Sequence, residues 1–508
     1  MQSDTLWLRA PVALALILAV VALALRLHGL GDKPLWLDEI ITFERANRRI
    51  ADLITGSLKS KHFPTYFLLV RPFDGPVIDE WMLRLPSAIL GAIAVFLATL
   101  VATHARSLRA GLVAGLLMAL SPFEVQFSQE ARSYTLVSAF ILLALWGLVR
   151  IGRRPQASAV ALHRRGGLAG SWAAYTIGTI GALDTQVMAT PWLAAATLGF
   201  AVIAWRAGSA RRGLVRNWLL IQAVILLAWL PALAAIVIKI SDDPLRGLGW
   251  IPDTTWHHLQ LVVSAVYLFR ISDLTTFALL PAPIPGFGLL VVVMVALGAW
   301  TLKSDRNAAA VIGLAALAMP ASLVLISIFH SFVVPRYLMW GTGAFFVLAG
   351  IGADALPRRI YPWTAATLAL GAGLSLAPYY RADTKPRWDL AVAYLAAHAR
   401  PDDALITNDG TTAYVIASYA GRFRLDRAIF DQAHGVADAT PRFAQGKRVW
   451  AVYGRTGQGQ IDSARDYVAK LTPLGTPTSQ VRFPPNILVL LFDPAGSTSR
   501  SGTGKTAE

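Results

Sequence analysis

A chain of 508 residues that is 55% hydrophobic, 15% charged and of mean hydropathy +0.52 is too apolar for an ordinary soluble protein, and a polytopic membrane protein is the class it fits. The formal charge of +16 could suggest nucleic-acid binding, but the arginines fall in short loops between apolar runs: Arg150, Arg153, Arg154, Arg164 and Arg165 in one, Arg206, Arg211, Arg212 and Arg216 in another, Arg358 and Arg359 in a third. That is the positive-inside pattern of membrane proteins and argues against nucleic acid as a partner, while the lack of cysteine removes disulfides and thiolate metal sites.

The first apolar stretch, Pro11 to Leu27, is uninterrupted and has no small-residue cleavage motif, so it reads as a retained helix and not a signal peptide. At roughly 20 apolar residues per crossing, the candidate spans are 8–27, 84–104, 109–123, 133–151, 168–184, 186–205, 217–239, 285–303, 308–329, 337–355 and 361–378. Placing the basic loops in the cytoplasm puts the N-terminus inside and everything after residue 379 outside. The five basic connections (around 105, 150–167, 205–217, 303–306 and 356–360) then all fall on one side.

The opposite side collects four pieces. The first loop, 28–83, is rich in Trp, Pro and charge, and its 37–56 stretch has the amphipathic character of a segment lying along the interface. The second is a turn from Ser121 to Arg132. The third, 240–284, carries Trp250, Trp256, His257, His258, Tyr267 and Arg270, and the fourth is His330 to Arg336. Beyond 379 the composition becomes that of a soluble fold: helical periodicity over 388–399, 411–419 and 463–471 alternates with strand-like runs at 404–407, 448–453 and 487–492. A small α/β domain over 380–495 is expected, followed by a disordered Ser/Gly/Thr-rich tail, 496–508. Gly504-Lys505-Thr506 in that tail is not a phosphate loop, because Ser499 stands where its first glycine would be.

Several polar residues stand out against this apolar background. Asp38 and Glu39 are adjacent and embedded among Leu35, Trp36, Leu37, Ile40, Ile41 and Phe43. They could cap a helix or lie solvated in the loop. Their apolar neighbours instead favour partial desolvation of at least one carboxylate, which makes a better general base. Gln129, Glu130 and Arg132 sit where the fourth span begins, beside Tyr134, either as a structural ion pair or in catalysis. Arg336 follows Pro335 on the side where basic residues are scarce, and its planar fork suits either a phosphate or a loop carboxylate. Lys61, His62 and Arg84 flank the second span and could simply snorkel; Asp184 reads as a turn residue; His257-His258 lacks the spacing of a metal site.

Trp36-Leu37-Asp38-Glu39, then Lys61-His62-Phe63-Pro64-Thr65-Tyr66, Arg84-Leu85-Pro86-Ser87, Ser121-Pro122-Phe123 leading to Ser128-Gln129-Glu130-Ala131-Arg132-Ser133-Tyr134, and Pro335-Arg336-Tyr337 occur in that order. Over residues 1–380 the chain thereby resembles the polyprenyl-phosphate-dependent glycosyltransferases of the GT-C fold, among them the dolichyl-phosphate-mannose protein mannosyltransferases and the lipid A aminoarabinose transferases. With the spans counted above, the resemblance implies an α-helical polytopic protein of GT-C type, with about 11 transmembrane helices and a transmembrane glycosyltransferase domain over 1–379; the small extracytoplasmic α/β domain expected from composition lies beyond it and carries no motif of that family. The resemblance also implies a plasma-membrane location, a polyprenyl-phosphate-linked sugar donor bound from the membrane lipid, and an acceptor hydroxyl on a glycolipid, polysaccharide or protein. The first acidic residue of the loop acts as base in such enzymes, which maps onto Asp38, with Glu39 helping to place the acceptor. Arg336, Arg132 and Arg84 are the candidates for the donor phosphate, and Lys61, His62, Gln129, Glu130 and Tyr337 for other substrate contacts. Phe63-Pro64 departs from the usual Pro-Pro, which touches the roles of Lys61 and His62. No metal or cofactor is expected, since a phosphodiester leaves as a stable anion and needs only positive charge beside it. A lipid-glycan transporter or flippase would show internal repeats and midplane charge, neither of which the sequence has. A non-catalytic membrane subunit is the other competing reading.

Overall fold

The computed structural model describes residues 2–59, 63–75, 77–153, 166–242, 251–426, 428–454 and 463–495. Helix α1 (Gln2–Leu27) is followed by three short helices, α2 (Leu37–Ala46), α3 (Ile50–Lys59) and α4 (Thr65–Val70), which form the first loop. The bundle continues with α5 (Glu80–Ala105), α6 (Leu108–Leu120), α7 (Pro122–Ser128), α8 (Tyr134–Arg153), α9 (Gly166–Leu183), α10 (Pro191–Arg206) and α11 (Arg211–Asp242). After α12 (Trp256–Tyr267) come α13 (Phe287–Thr301), α14 (Arg306–Ser327), α15 (Met339–Asp354) and α16 (Tyr361–Leu376). Among the described residues seven segments are long and apolar enough to cross a membrane, and α6 with α7 makes an eighth, bent by 59°. Helix α9, with 18 residues, and α15 and α16, with 16 each, fill the remaining expected spans. The protein is a multi-pass membrane protein.

The bend between α6 and α7 follows from the sequence. Pro122 has no N–H and opens α7, where none is needed, while Ser121 Oγ accepts from Glu124 N (3.4 Å) to cap it. The carbonyls this frees at the end of α6 would be costly inside a membrane. Arg26 of α1 supplies their donors: it is fully buried and donates to Met118 O (3.4 Å), Ala119 O (3.3 Å) and Ser128 Oγ (2.9 Å). Helix α7 stands where the sequence suggests a turn over 121–132, and α12 stands inside the loop expected over 240–284.

Asp354 accepts from Arg106 Nε (3.0 Å) and Arg109 Nε (2.9 Å), and Asn307 donates to Gly152 O (2.8 Å) beside the Arg153–Asp305 pair (3.8 Å). These contacts gather four of the basic connections at one end of the bundle. The other end carries the first loop and the soluble fold: α17 (Trp388–His398), β1 (Ala404–Thr407), α18 (Gly410–Phe423), α19 (Ala428–Asp431), α20 (Val436–Ala444), β2 (Val449–Gly454), α21 (Ala464–Lys470), β3 (Ser479–Phe483) and β4 (Ile487–Phe492). The sheet order is β1-β2-β4-β3, with β1 parallel to β2 (Ala404 opposite Val449) and the other pairs antiparallel.

Strand β2 is buried throughout, and alternate residues feed two cores, as the two-residue period of a strand requires. Val449, Ala451 and Tyr453 pack with α20 and α21. Trp450 and Val452 pack with Trp388, Leu395 and Tyr419, and this second core continues into Leu35, Leu37, Ile40, Tyr66 and Phe67 of the first loop. The sheet and the loop before α5 are therefore built on shared apolar side chains.

Candidate active site

Trp36 is the N-cap of α2, so Asp38 and Glu39 occupy its first turn, where the helix dipole favours negative charge. Both are buried, Asp38 at 4% exposure and Glu39 at 0%. Their surroundings differ sharply.

Glu39 Oε1 accepts from Arg84 Nε (2.7 Å) and Ala131 N (2.9 Å), and Oε2 accepts from Arg84 Nη2 (2.8 Å) and Lys385 Nζ (2.8 Å). Four donors on two oxygens fill the carboxylate's acceptor capacity. Burial alone would raise its pKa, but Arg84 and Lys385 outweigh that and hold it well below the usual carboxylate range. Arg84 is equally saturated, because its remaining N–H groups go to Leu30 O (3.0 Å), Lys33 O (2.7 Å) and Pro34 O (2.9 Å). All five guanidinium donors are thereby used, at 1% exposure.

Asp38 Oδ2 lies 4.0 Å from Arg132 Nη2 and 4.0 Å from Arg336 Nη2. Arg132 also donates to the Asp38 carbonyl (3.3 Å). Arg336 comes from a single turn, Pro335–Leu338, that opens α15, with its guanidinium 5.4 Å from the centre of the Trp36 ring. Burial opposes charge on both arginines, yet each is held above its ordinary pKa: Arg132 chiefly by Asp38, Arg336 by Tyr134 and Asp38. The result is a buried carboxylate between two cations that stay charged.

Gln129 turns its amide nitrogen to Arg26 O (2.9 Å) and His28 O (2.7 Å), which ties its loop to the end of α1. Glu130 is fully buried, and neither carboxyl oxygen has a hydrogen-bond partner among the described residues. Burial pushes its pKa up to about 7, against the pull of Lys385 and with a further push from Glu39. Tyr337 adjoins Arg336, 5.9 Å from ring centre to guanidinium. Lys61 and His62 lie outside the described residues.

The residues around Arg132 show what the other sequence motifs contribute. Tyr66 and Ser87 share a hydrogen bond (2.6 Å), and Ser87 Oγ donates to Arg132 O (3.2 Å). Tyr66, Lys33 and Lys385 were not singled out in the sequence. Tyr66 closes the Lys61–Tyr66 motif and could have been found there. Lys385 sits in an undistinguished polar stretch, 346 residues from Glu39, and no local pattern marks it.

No family model and no curated protein matches the chain. Solved structures do. ArnT from Cupriavidus metallidurans in the apo state aligns with a TM-score of 0.56 and 15% identity, over 98% of this chain and 100% of that one. The same protein bound to undecaprenyl phosphate gives 0.54 and 16%, over 96% and 99%. The oligosaccharyltransferase AglB from Archaeoglobus fulgidus, in complex with an inhibitory peptide and a dolichol-phosphate, gives 0.54 and 12%, over 87% of this chain and 69% of that one. At these identities the likeness is one of fold, and it extends through the bundle and the small sheet domain: this chain has the GT-C fold.

Proposed function

We propose that the protein is a membrane glycosyltransferase that moves a sugar from a polyprenyl-phosphate donor to an acceptor hydroxyl. The observation that carries this reading is the Asp38 carboxylate set 4.0 Å from each of two buried guanidiniums at the end of an apolar bundle. The donor phosphate draws Arg132 and Arg336 to itself and leaves Asp38 facing the acceptor. The acceptor O–H gives its proton to an Asp38 oxygen as its own oxygen attacks the anomeric carbon. The bond from that carbon to the phosphate oxygen breaks on the opposite face, and the polyprenyl phosphate leaves as an anion held by the arginines. A single displacement of this kind inverts the anomeric centre. The undecaprenyl phosphate and dolichol-phosphate bound by the two structural relatives are ligands of this class.

The other expected site residues are assigned by what their atoms are free to do. Arg84 was expected to hold phosphate, but its five donors are spent on Glu39 and three loop carbonyls, so it fixes the loop instead. Glu39 was expected to help place the acceptor. With its acceptors filled from within the protein, it is a positioning residue for Asp38. Gln129 joins that framework, while Glu130 and Tyr337 remain the candidates for sugar contacts. The one-sided arginines support the reading that this end of the bundle, residues 380–495 included, lies on the extracytoplasmic face of the plasma membrane, with the acceptor a glycolipid, polysaccharide or protein on that face.

Asp38→Asn keeps the shape and removes the proton acceptor. With synthetic undecaprenyl-phosphate sugars as donors, release of undecaprenyl phosphate should fall by roughly 10²–10⁴-fold, the usual worth of a general base. Binding of undecaprenyl phosphate itself should not change. Wild-type turnover in Asp38→Asn would overturn the assignment.

A further inference from the structure

We propose that the small α/β domain is part of the transfer machinery, with Lys385 and Tyr419 as positioning residues that hold the 34–39 loop in register with Arg132 and Arg336. The proposal rests on the reading of Asp38 as base and extends it to residues outside the membrane bundle.

Lys385 lies in the segment that joins α16 to α17 and is 1% exposed. Its Nζ donates to Glu39 Oε2 (2.8 Å) and to Gln129 O (3.3 Å). One ammonium thus ties together the two loops that carry Asp38 and Arg132. Charge balance alone does not fix its position: Arg84 already neutralises Glu39 one for one, and Glu130, the other buried carboxyl whose charge Lys385 offsets, makes no hydrogen bond to it. A buried cation also costs desolvation, and apolar replacements of buried ion pairs are often as stable or more so. What Lys385 adds is geometry: Glu39 is the residue next to Asp38 in the same helical turn, so fixing one carboxylate fixes the rotation of α2 that aims the other.

Two further contacts act on the same loop, and a third ties α18 to the start of α5 beside it. Tyr419 of α18 accepts from Leu35 N at 2.6 Å and lies 3.3 Å from Glu80 Oε1. Arg422, one turn on, donates to both Glu80 oxygens (2.5 and 2.7 Å) at the start of α5. Lys33 donates to Tyr379 O (3.0 Å) and Ala382 O, the two ends of the strip leading to Lys385. The shared apolar core of Leu35, Leu37 and Ile40 with Trp388 and Tyr419 lies beneath them. The catalytic loop is therefore gripped at Lys33, Leu35 and Glu39 by residues from 379 onward.

The test uses the full-length protein in lipid nanodiscs, synthetic undecaprenyl-phosphate sugars as donors, and hydrogen exchange of the 34–46 segment. Lys385→Met removes the charge at nearly constant volume, and Tyr419→Phe removes the acceptor for Leu35 N. Arg448→Gln is the control: its partner Asp403 (2.6 Å) lies within the soluble domain, away from the loop. Lys385→Met should lower kcat per folded molecule by roughly 10- to 100-fold, the scale on which about 1 Å of misplacement acts, with donor KM within about twofold. Exchange over 34–46 should quicken. Tyr419→Phe should move both in the same direction by less, Lys385→Arg should restore part of kcat, and Arg448→Gln should lower the melting temperature alone. Unchanged kcat or unchanged exchange in Lys385→Met would overturn the proposal, as would an equal kcat loss in Arg448→Gln. Asp38→Asn run alongside separates the two readings. If it keeps turnover while Lys385→Met loses it, the base assignment falls and the positioning role stands.

Discussion

Three arginines meet at this site with the same charge and different work. Arg84 has five hydrogen bonds to protein acceptors, whereas Arg132 and Arg336 each bring a guanidinium nitrogen to 4.0 Å from Asp38 Oδ2, Arg132 donating to the Asp38 carbonyl as well. Substituting lysine, which keeps the charge and loses the planar fork, should therefore separate them. Arg336→Lys is expected to weaken undecaprenyl phosphate binding and to slow turnover more still, because phosphate charge grows as the sugar bond breaks. Arg84→Lys is expected to do the reverse: a lower melting temperature, with phosphate binding per folded molecule retained. Equal phosphate affinity in Arg336→Lys and wild type would move the anion site elsewhere. Sequence alone could mark Asp38, Arg132 and Arg336, since each is an oddly placed charge in an apolar setting. It could not rank Arg84 against Arg336, because saturation of a guanidinium depends on carbonyls at Leu30, Lys33 and Pro34 that no side-chain pattern encodes.

At the scale of elements, α13 and α15 meet backbone to backbone. A Cβ on Gly298 would run into the backbone at Leu348, and one on Gly352 into the backbone at Met294. Small residues at a membrane helix crossing allow such approach. Gly352→Ala should force the helices apart and cost about 1–3 kcal/mol, as overpacking does. Gly313→Ala, where a Cβ would meet nothing within 4 Å, should be neutral or slightly stabilising. Thermal unfolding of the two variants in the same detergent decides it, and equal midpoints would show that the join can relax. Strands β1 and β4 fall on the residues their apolar runs suggest, 404–407 and 487–492. Strand β3 was invisible because only Val481 and Phe483 in Ser479–Phe483 are apolar, the pattern of a half-exposed edge. Helix α7 was hidden by Pro122, which marks a turn as readily as a first helical position.

For the whole molecule, the gathering of Arg106, Arg109, Arg153 and their carboxylate partners at the end opposite Asp38 gives the topology a physical form. Reporter fusions at residue 160 and at the C-terminus should report opposite compartments, the first cytoplasmic. The same compartment at both would mean an odd number of crossings between them has been miscounted. The change in composition near residue 379 announces a soluble fold, and the sheet there is what that change suggested. Its continuity with the first loop was not readable, because Leu35 and Tyr419 are 384 positions apart.

The reach of Lys385 sets a clock on assembly. Glu39 leaves the ribosome 346 residues ahead of Lys385, which at about 5–20 residues per second is roughly 20–70 s of synthesis. Its other cation, Arg84, follows only 45 residues behind. For most of its birth the chain therefore has Arg84 as the one cation on Glu39, joined by the Ala131 N–H, and the α2 turn acquires its final bond after the last membrane helix has emerged. A chain stalled between residues 336 and 385 carries Asp38, Arg132 and Arg336 without that bond, so on the positioning role proposed for Lys385 such an unfinished copy is not yet a competent one.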